Sequence, residues 1–269
     1  MADTDLDDAY ANARHIPGAE GFPPRWEAAA AAFRDGLAGA GRAETGLAYG
    51  AHPRERFDLF RPAGPARGLV VFVHGGYWRA FGPGTWSHLA AGALAHGHAV
   101  AMPGYPLCPE RRIRDITRSV ARAVEAAAAL VAGPIRLTRH SAGGNLVARI
   151  LMADAAPAPA VAARIARAVP ISGLFDLRPL MRTAMNDDFR LDAEEAAADV
   201  GSLLEQAAQL GLEPDADDTQ DAFTAMASAN ELALVIDRDR AQRYDDFLAD
   251  AADLAALVYV VAAPRATYP

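Results

Sequence analysis

Apolar runs alternate with helical segments along much of the chain. Residues 68–73 form a continuous apolar run, which is typical of a strand buried on both faces of a parallel sheet. Residues 98–103 predict a second strand. Residues 54–62 alternate polar and apolar side chains and close with Pro62, which predicts an edge strand. Further strands are predicted at 134–139, 167–172, 232–236 and 257–261, and helices at 26–37, 85–95, 112–131, 143–155, 192–210, 219–229 and 241–256.

Single helices separate most of these strands. This spacing predicts βαβ crossovers and a doubly wound, mostly parallel sheet with helices on both faces. Residues 1–45 are interpreted as an N-terminal arm, and residues 46–269 as a single domain with a helical insertion at about 180–230. The acidic stretch 186–253 is interpreted as a set of solvated helix faces.

The composition excludes several classes of function. The 269 residues carry a formal net charge of −8 and no basic tail, which argues against a nucleic-acid partner. All 26 Lys and Arg residues are Arg, so a P-loop, a pyridoxal-phosphate aldimine and any Schiff-base mechanism are excluded. The single cysteine, Cys108, excludes an intramolecular disulfide and a Cys-based zinc site, and is interpreted as a small buried residue. We expect no signal peptide, no membrane span and a cytoplasmic location.

A serine stands where a predicted strand turns directly into a helix. The turn reads Thr-Arg-His-Ser-Ala-Gly-Gly over residues 138–144, and its serine is Ser141. In a nucleophile elbow, such a strained turn raises Oγ above the sheet, at a helix N-terminus that favours developing negative charge. The same residues could also form an ordinary glycine-rich turn between a strand and a helix.

A glycine pair follows the buried run 68–73. The loop reads His-Gly-Gly-Tyr-Trp over residues 74–78, and its glycines let backbone N–H groups approach a ligand closely. An oxyanion hole needs such donors together with the N–H of the residue after the nucleophile, which is Ala142. We therefore predict an oxyanion hole formed by Gly75, Gly76 and Ala142 in the same cleft as the serine.

These motifs resemble those of the α/β-hydrolase fold, in the branch with hormone-sensitive-lipase-like esterases and arylformamidases (kynurenine formamidases), and above all bacterial arylformamidase-like proteins. The resemblance spans about residues 48–197, in the stretches YGAHPRERFDLFRPAG, VVFVHGGYWRAF, MPGYPLCPE, HSAGGNL and ISGLFDLRPLMRTAMNDDFRLDAEEA. It implies that fold with a helical insertion after strand 6, and a serine hydrolase acting on small aryl formamides or esters without a metal or organic cofactor. It assigns the nucleophile to Ser141, the oxyanion hole to Gly75, Gly76 and Ala142, and the substrate pocket to Tyr77 and Trp78.

Some residues in these stretches have simpler alternatives. Trp78 and Trp86 could be core aromatics, and we favour that interpretation for Trp86. Asp176 could be mistaken for the catalytic acid, but the family pattern gives it a place at the entry to the cap. The catalytic acid of that pattern lies one strand later.

Two features depart from the family pattern. Arg139 stands where the G-x-S-x-G elbow begins with glycine, and its long side chain is expected to snorkel outward or to distort the turn. The family places its acid after a late strand and its histidine near the C-terminus. Asp239 is the preferred acid and Asp237 the alternative, although both could be solvated loop charges. The histidine position falls on or near Tyr268, and a tyrosine of pKa near ~10 is too fully protonated to be the base.

All seven histidines lie at or before residue 140. His74 is the one expected within water-bridged reach of Ser141, so it is the candidate substitute base. The alternative, which we favour, is that His74 orients its own loop through a backbone hydrogen bond. His140 is expected to project away from its neighbour Ser141. No chemistry is assigned to the others, which are His15, His52, His88, His96 and His98.

Three interpretations stay open. The first is a serine hydrolase of a small aromatic amide or ester, impaired where the late histidine is missing. The second is a non-catalytic α/β-hydrolase-like protein that binds a small aromatic ligand or a protein partner. The third is that the C-terminal third is an aberrant or truncated version of the usual gene product. The sequence also leaves open the exact substrate and whether the chain forms a homo-oligomer.

Overall fold

The computed structural model describes residues 6–171, 173–174 and 176–197. The strands are β1 (Ala43–Ala48), β2 (Arg56–Phe60), β3 (Leu69–Val73), β4 (Ala99–Pro103), β5 (Ile135–His140) and β6 (Ile165–Ile171). The α-helices are α1 (Leu6–Ala9), α2 (Phe22–Gly39), α3 (Ala91–Ala95), α4 (Ile113–Leu130), α5 (Ala142–Arg149), α6 (Pro159–Ala162) and α7 (Asn186–Phe189). Residues 193–197 are also helical.

The strands form one six-stranded sheet in the order β1-β2-β4-β3-β5-β6. Strand β3 pairs in parallel with β4 and β5, and β5 pairs in parallel with β6. Strands β1 and β2 are antiparallel to their neighbours. All five residues of β3 are buried, as expected for a central strand covered on both faces. The predicted mostly parallel sheet is confirmed.

Helices cover both faces of the sheet, as predicted. Val71 and its same-face neighbours in β3 join a hydrophobic core with residues of α4 and α5. Val70 and Phe72 point to the opposite face, where they join a second core with Trp86, against which Trp26 of α2 packs. This division follows from the two-residue period of side chains along a strand.

The prediction that residues 54–62 form an edge strand is wrong. Strand β2 lies between β1 and β4, and β1 is the outer strand. Strand β1 was not predicted because its pairing with β2 shifts register between Glu44 and Leu47. This shift breaks the alternation of polar and apolar side chains that identifies a strand. Gly46 takes a φ of +72° in that irregular stretch, and its N–H donates to the Asp58 carboxylate at 2.9 Å.

Three predicted helices have different limits. The helix predicted at 85–95 is divided into two 3-10 turns and the short α3. The helix predicted at 143–155 ends at Arg149. The helix predicted at 26–37 begins earlier, at Phe22, and Pro23 and Pro24 lie in its first turn, where a missing backbone N–H costs nothing.

Several predictions lie outside the described residues. These include the strands at 232–236 and 257–261, the helices beyond residue 197, and most of the insertion predicted at about 180–230. The division into an arm, 1–45, and a domain, 46–269, stays a prediction. Among the helices that the structure describes, none has the length and apolar character needed to cross a membrane.

Candidate active site

The sheet brings the two predicted motifs together. Strands β3 and β5 are parallel neighbours with Val73 opposite Arg139, so the loops that follow them leave the same edge of the sheet. The first turn of α5 packs directly on the end of β3. A Cβ atom added at Gly143 would lie 2.4 Å from the Val73 carbonyl oxygen and 2.7 Å from that of His74. This close approach explains why glycine stands at position 143.

Ser141 has a strained backbone. Its φ is 56° and its ψ is −131°, a conformation that residues with a side chain rarely adopt and that costs about 1–3 kcal/mol. The next residue, Ala142, begins α5, and the N–H of Gly144 donates to the Ser141 carbonyl oxygen at 2.6 Å. Ser141 therefore stands at a sharp turn from strand to helix, beside the positive end of the helix dipole.

The glycine pair presents two backbone donors at this edge. Within the described part of the chain, the N–H groups of Gly75 and Gly76 donate to no other residue. Gly75 is buried, and a buried N–H without a protein partner is rare unless the group has another use. Gly76 has a φ of +113°, and a Cβ atom there would lie 2.6 Å from the Ala80 carbonyl oxygen. The loop therefore requires glycine at position 76.

His74 is buried and held within its own loop. Its Nδ1 lies 2.7 Å from the Gly75 carbonyl oxygen, so Nδ1 carries the proton and donates it. Burial lowers the pKa of His74 to about 4, so the imidazole is neutral near pH 7 and is a weak base. These contacts support the loop-orienting role over that of a substitute base.

Tyr77 and Trp78 are more enclosed than residues of an open pocket wall. Trp78 is fully buried, and its ring packs edge-on against Phe189 at 5.7 Å. The half-buried Tyr77 donates its hydroxyl to the Tyr10 carbonyl oxygen at 3.0 Å, and burial raises its pKa to about 12. The full burial of Trp78 favours its alternative role as a core aromatic, and its place in a substrate pocket stays a prediction.

Arg139 does not snorkel outward as expected. Its side chain is 1% exposed, and its Nε would lie 3.0 Å from a Cβ atom added at Gly144 in the first turn of α5. Burial lowers the pKa of its guanidinium well below the ordinary value. Of the two expectations for Arg139, the outward side chain is wrong, because β5 is a central strand whose residue 139 is covered by α5. Nε of Arg139 therefore lies beside Gly144, in the first turn of the helix that follows Ser141. The other expectation, a distorted turn, stays a prediction.

The interpretations of Trp86 and Cys108 as buried residues are confirmed. Trp86 is a core aromatic whose ring lies 4.8 Å from that of Trp26. Cys108 is 6% exposed, and burial raises the pKa of its thiol to about 12. The interpretation of Asp176 as a residue at the cap entry stays a prediction. Its carboxylate accepts hydrogen bonds from the backbone and guanidinium of Arg178. The candidate acids Asp239 and Asp237 lie outside the described residues.

The sequence interpretation missed Tyr105. Its ring stacks on the His74 imidazole with centroids 4.2 Å apart, and its hydroxyl donates to the His74 carbonyl oxygen at 2.7 Å. The available signal was its position, since Tyr105 comes just after β4 and therefore lies at the same sheet edge as the loop after β3. In residues 6–171, 173–174 and 176–197, no group of three His, Cys, Asp or Glu side chains is placed to hold a metal ion.

The chain is similar to several known proteins. Residues 70–267 match the Alpha/beta hydrolase family. The chain is 29% identical over 154 residues to kynurenine formamidase from Danio rerio, which covers 55% of this chain and 52% of that protein. It is also 29% identical over 162 residues to kynurenine formamidase from Salmo salar, covering 58% of this chain and 54% of that protein. The chain thus spans about half the length of these curated relatives.

A solved structure extends the similarity. A crystal structure from Silicibacter sp. TM1040, provisionally described as a thioesterase, is 56% identical, with a TM-score of 0.70. The match covers 72% of this chain and 73% of that one. The family match itself includes both the loop after β3 and the turn at Ser141. The chain therefore belongs to the α/β hydrolase family.

Proposed function

We propose that this hydrolase cleaves a small aryl formamide or ester through an acyl-enzyme formed on Ser141. One observation carries the proposal: Ser141 is held at a φ of 56° between β5 and α5, at the sheet edge where Gly75 and Gly76 keep two backbone donors. A strained serine at the start of a helix is the geometry that a nucleophile elbow requires.

The reaction follows from this arrangement. Oγ of Ser141 attacks the carbonyl carbon of the formamide, and the carbonyl oxygen becomes negatively charged. The N–H groups of Gly75, Gly76 and Ala142 stabilise that charge, as in other oxyanion holes. Collapse of the tetrahedral intermediate breaks the C–N bond, the amine leaves with a proton, and a formyl-enzyme forms. Water then attacks the formyl carbon and releases formate.

Attack by Ser141 requires a base that takes the hydroxyl proton. His74 suits the task poorly, since its pKa of about 4 limits its strength as a base. The 269 residues contain no histidine beyond position 140. Asp239, with Asp237 as the alternative, remains our proposed acid of the triad. A serine that lacks its base retains about 10³–10⁴-fold catalysis over water from the oxyanion hole and binding.

The substrate class comes from the relatives. Two of them are named kynurenine formamidase, which supports an N-formylkynurenine-type substrate. The Silicibacter protein was provisionally described as a thioesterase, and an oxyanion hole serves the carbonyl of a formamide, an ester or a thioester alike. A cytoplasmic location and a homo-oligomer also remain predictions.

Steady-state hydrolysis tests the proposed function. Hydrolysis is measured with the wild-type protein and with Ser141→Ala for three substrates: N-formylkynurenine, a p-nitrophenyl ester and an acyl thioester. We expect the aryl formamide to have the highest kcat/KM and Ser141→Ala to lose its turnover. Turnover that persists unchanged in Ser141→Ala would remove the serine from the mechanism, and a thioester preference would overturn the substrate class.

A second candidate function is ligand binding without turnover. It is favoured by Arg139, a buried residue at the position where the family pattern has the first glycine of the elbow. This candidate predicts that a fluorophosphonate probe leaves Ser141 of the wild-type protein unlabelled. Labelling that rises in Arg139→Gly would show that the arginine limits the reactivity of the serine.

A further inference from the structure

We infer that Tyr105 is a positioning residue that, together with His74, fixes the orientation of both peptide groups of the oxyanion loop. The inference rests on the proposed function for its catalytic consequence and on the described contacts for its geometry. Tyr105 is fully buried, and it touches the loop through both its ring and its hydroxyl.

The first peptide group joins His74 to Gly75. Its carbonyl oxygen accepts the Tyr105 hydroxyl proton at 2.7 Å. In a trans peptide the carbonyl and the following N–H point in opposite directions. The hydrogen bond from Tyr105 therefore turns the Gly75 N–H away from the tyrosine.

The second peptide group joins Gly75 to Gly76. Its carbonyl oxygen accepts the Nδ1–H of His74 at 2.7 Å, and that same Nδ1 lies 3.1 Å from the Tyr105 hydroxyl oxygen. Both loop carbonyls are thus bonded on the side of the His74–Tyr105 pair. The N–H groups of Gly75 and Gly76 consequently point to the opposite side, where they have no partner among the described residues.

Tyr105 is itself held by the neighbouring strands and loops. Arg54 donates its Nε–H to the Tyr105 carbonyl oxygen at 2.9 Å and a second N–H to the carbonyl oxygen of Phe81. The N–H of Gly104, the preceding residue, donates to the Arg56 carbonyl oxygen at 2.8 Å. Arg54 therefore ties the segment that carries Tyr105 to the far end of the loop after β3, so the tyrosine is a fixed support.

Tyr105→Phe tests the hydroxyl group, because it keeps the ring stacked on His74 and removes only the O–H donor. Without it, the peptide group between His74 and Gly75 can rotate, and the Gly75 N–H loses its fixed direction. Misplacement of a catalytic group by ~1 Å costs on the order of a hundredfold in rate. We expect the rate constant for phosphonylation of Ser141 by a fluorophosphonate to fall by about 10–100-fold, with KM for a p-nitrophenyl ester changed by less than about twofold.

Tyr49→Phe is the matched control. The Tyr49 hydroxyl is part-buried and donates to the Gly104 carbonyl oxygen at 2.5 Å, one residue from Tyr105, but it does not contact the oxyanion loop. We expect Tyr49→Phe to keep the wild-type phosphonylation rate constant. An equal fall in both variants would reduce Tyr105 to a general structural role, and an unchanged rate in Tyr105→Phe would overturn the inference.

Nuclear magnetic resonance tests the same network without relying on activity. In the wild-type protein we expect ¹⁵N signals of His74 to show a neutral ring with the proton on Nδ1, and a proton on Nε2 would overturn the inference. The amide signals of Gly75 and Gly76 should shift or broaden in Tyr105→Phe and not in Tyr49→Phe. A wild-type protein that fails to react with the fluorophosphonate would contradict the proposed nucleophile alone, and these signals would still decide the positioning role.

Discussion

Gly143→Ala tests the contact between α5 and β3 on which the candidate site depends. The new methyl carbon would lie 2.4 Å from the Val73 carbonyl oxygen and 2.7 Å from the His74 carbonyl oxygen. Both neighbours are backbone atoms, so rotation of a side chain cannot relieve the overlap. The start of α5 must therefore move by about 1 Å to reach the 3.4 Å of ordinary van der Waals contact.

Both stability and reactivity should respond to this shift. Forced repacking of this kind costs about 1–3 kcal/mol of the free energy of unfolding. Because Ser141 and Ala142 sit at the start of the same helix, a displacement of ~1 Å should also lower the phosphonylation rate by about a hundredfold. Urea unfolding and the time course of fluorophosphonate labelling measure the two effects.

Gly36→Ala is the control for this substitution. Gly36 lies within α2 and has no atom within 4 Å of an added Cβ, so alanine there should raise the free energy of unfolding by about 0.5–1 kcal/mol. It should leave labelling unchanged. If Gly143→Ala instead keeps both the stability and the labelling rate of the wild type, the close packing of α5 on β3 is refuted.

Three further predictions concern buried groups. The pKa of His74 is about 4 in the folded protein and about 6.5 in an unfolded chain, so the unfolded state binds more protons between these values. The free energy of unfolding should therefore fall by about 3 kcal/mol as pH falls from 7.5 to 4. Urea unfolding of His74→Asn should lack this decrease. Identical pH dependences in the wild type and the variant would contradict the prediction. The buried Glu55 carboxylate accepts a hydrogen bond from Ser119 at 2.9 Å, so Glu55→Gln should lower the free energy of unfolding by about 1–3 kcal/mol. Glu44→Gln is the control. Glu44 belongs to an exposed ion pair, so this substitution should change the free energy of unfolding by less than about 0.5 kcal/mol. Equal losses in the two variants would argue against a buried network. Cys108 should react with Ellman's reagent at pH 8 only after unfolding, since its thiol is buried with a pKa of about 12, and rapid reaction of the native protein would place it at the surface.

The central strands could be predicted because a strand that is buried on both faces is apolar at nearly every position. The run 68–73 predicts β3 within one residue, and 98–103 predicts β4 equally well. Strand β1 was not predicted, for the opposite reason. Its pairing shifts register and its residues are mostly exposed, so no alternation of polar and apolar side chains marks it.

The candidate site was predictable where local sequence dictates local structure. A serine before Ala-Gly-Gly at the end of a strand predicts a sharp turn, and Ser141 has the positive φ that such a turn requires. Arg139 could not be placed in this way, because an arginine is expected at the surface unless tertiary packing covers it. Its burial depends on α5, which crosses the end of β5.

Tyr105 could not be identified because its role depends on contacts between distant segments. It lies 31 residues from His74 along the chain, and the two meet only because β3 and β4 are parallel neighbours. No periodicity or motif records a hydrogen bond between two loops at the same sheet edge. The strand order is needed before such a contact can be foreseen.

Mass spectrometry of the protein after reaction with a fluorophosphonate tests the central proposal most directly. We predict one phosphonate adduct per chain, located on Ser141 by peptide mapping, and no adduct in Ser141→Ala or in heat-denatured protein. A native protein that stays unmodified, or an adduct on any other residue, would contradict the assignment of Ser141 as the nucleophile.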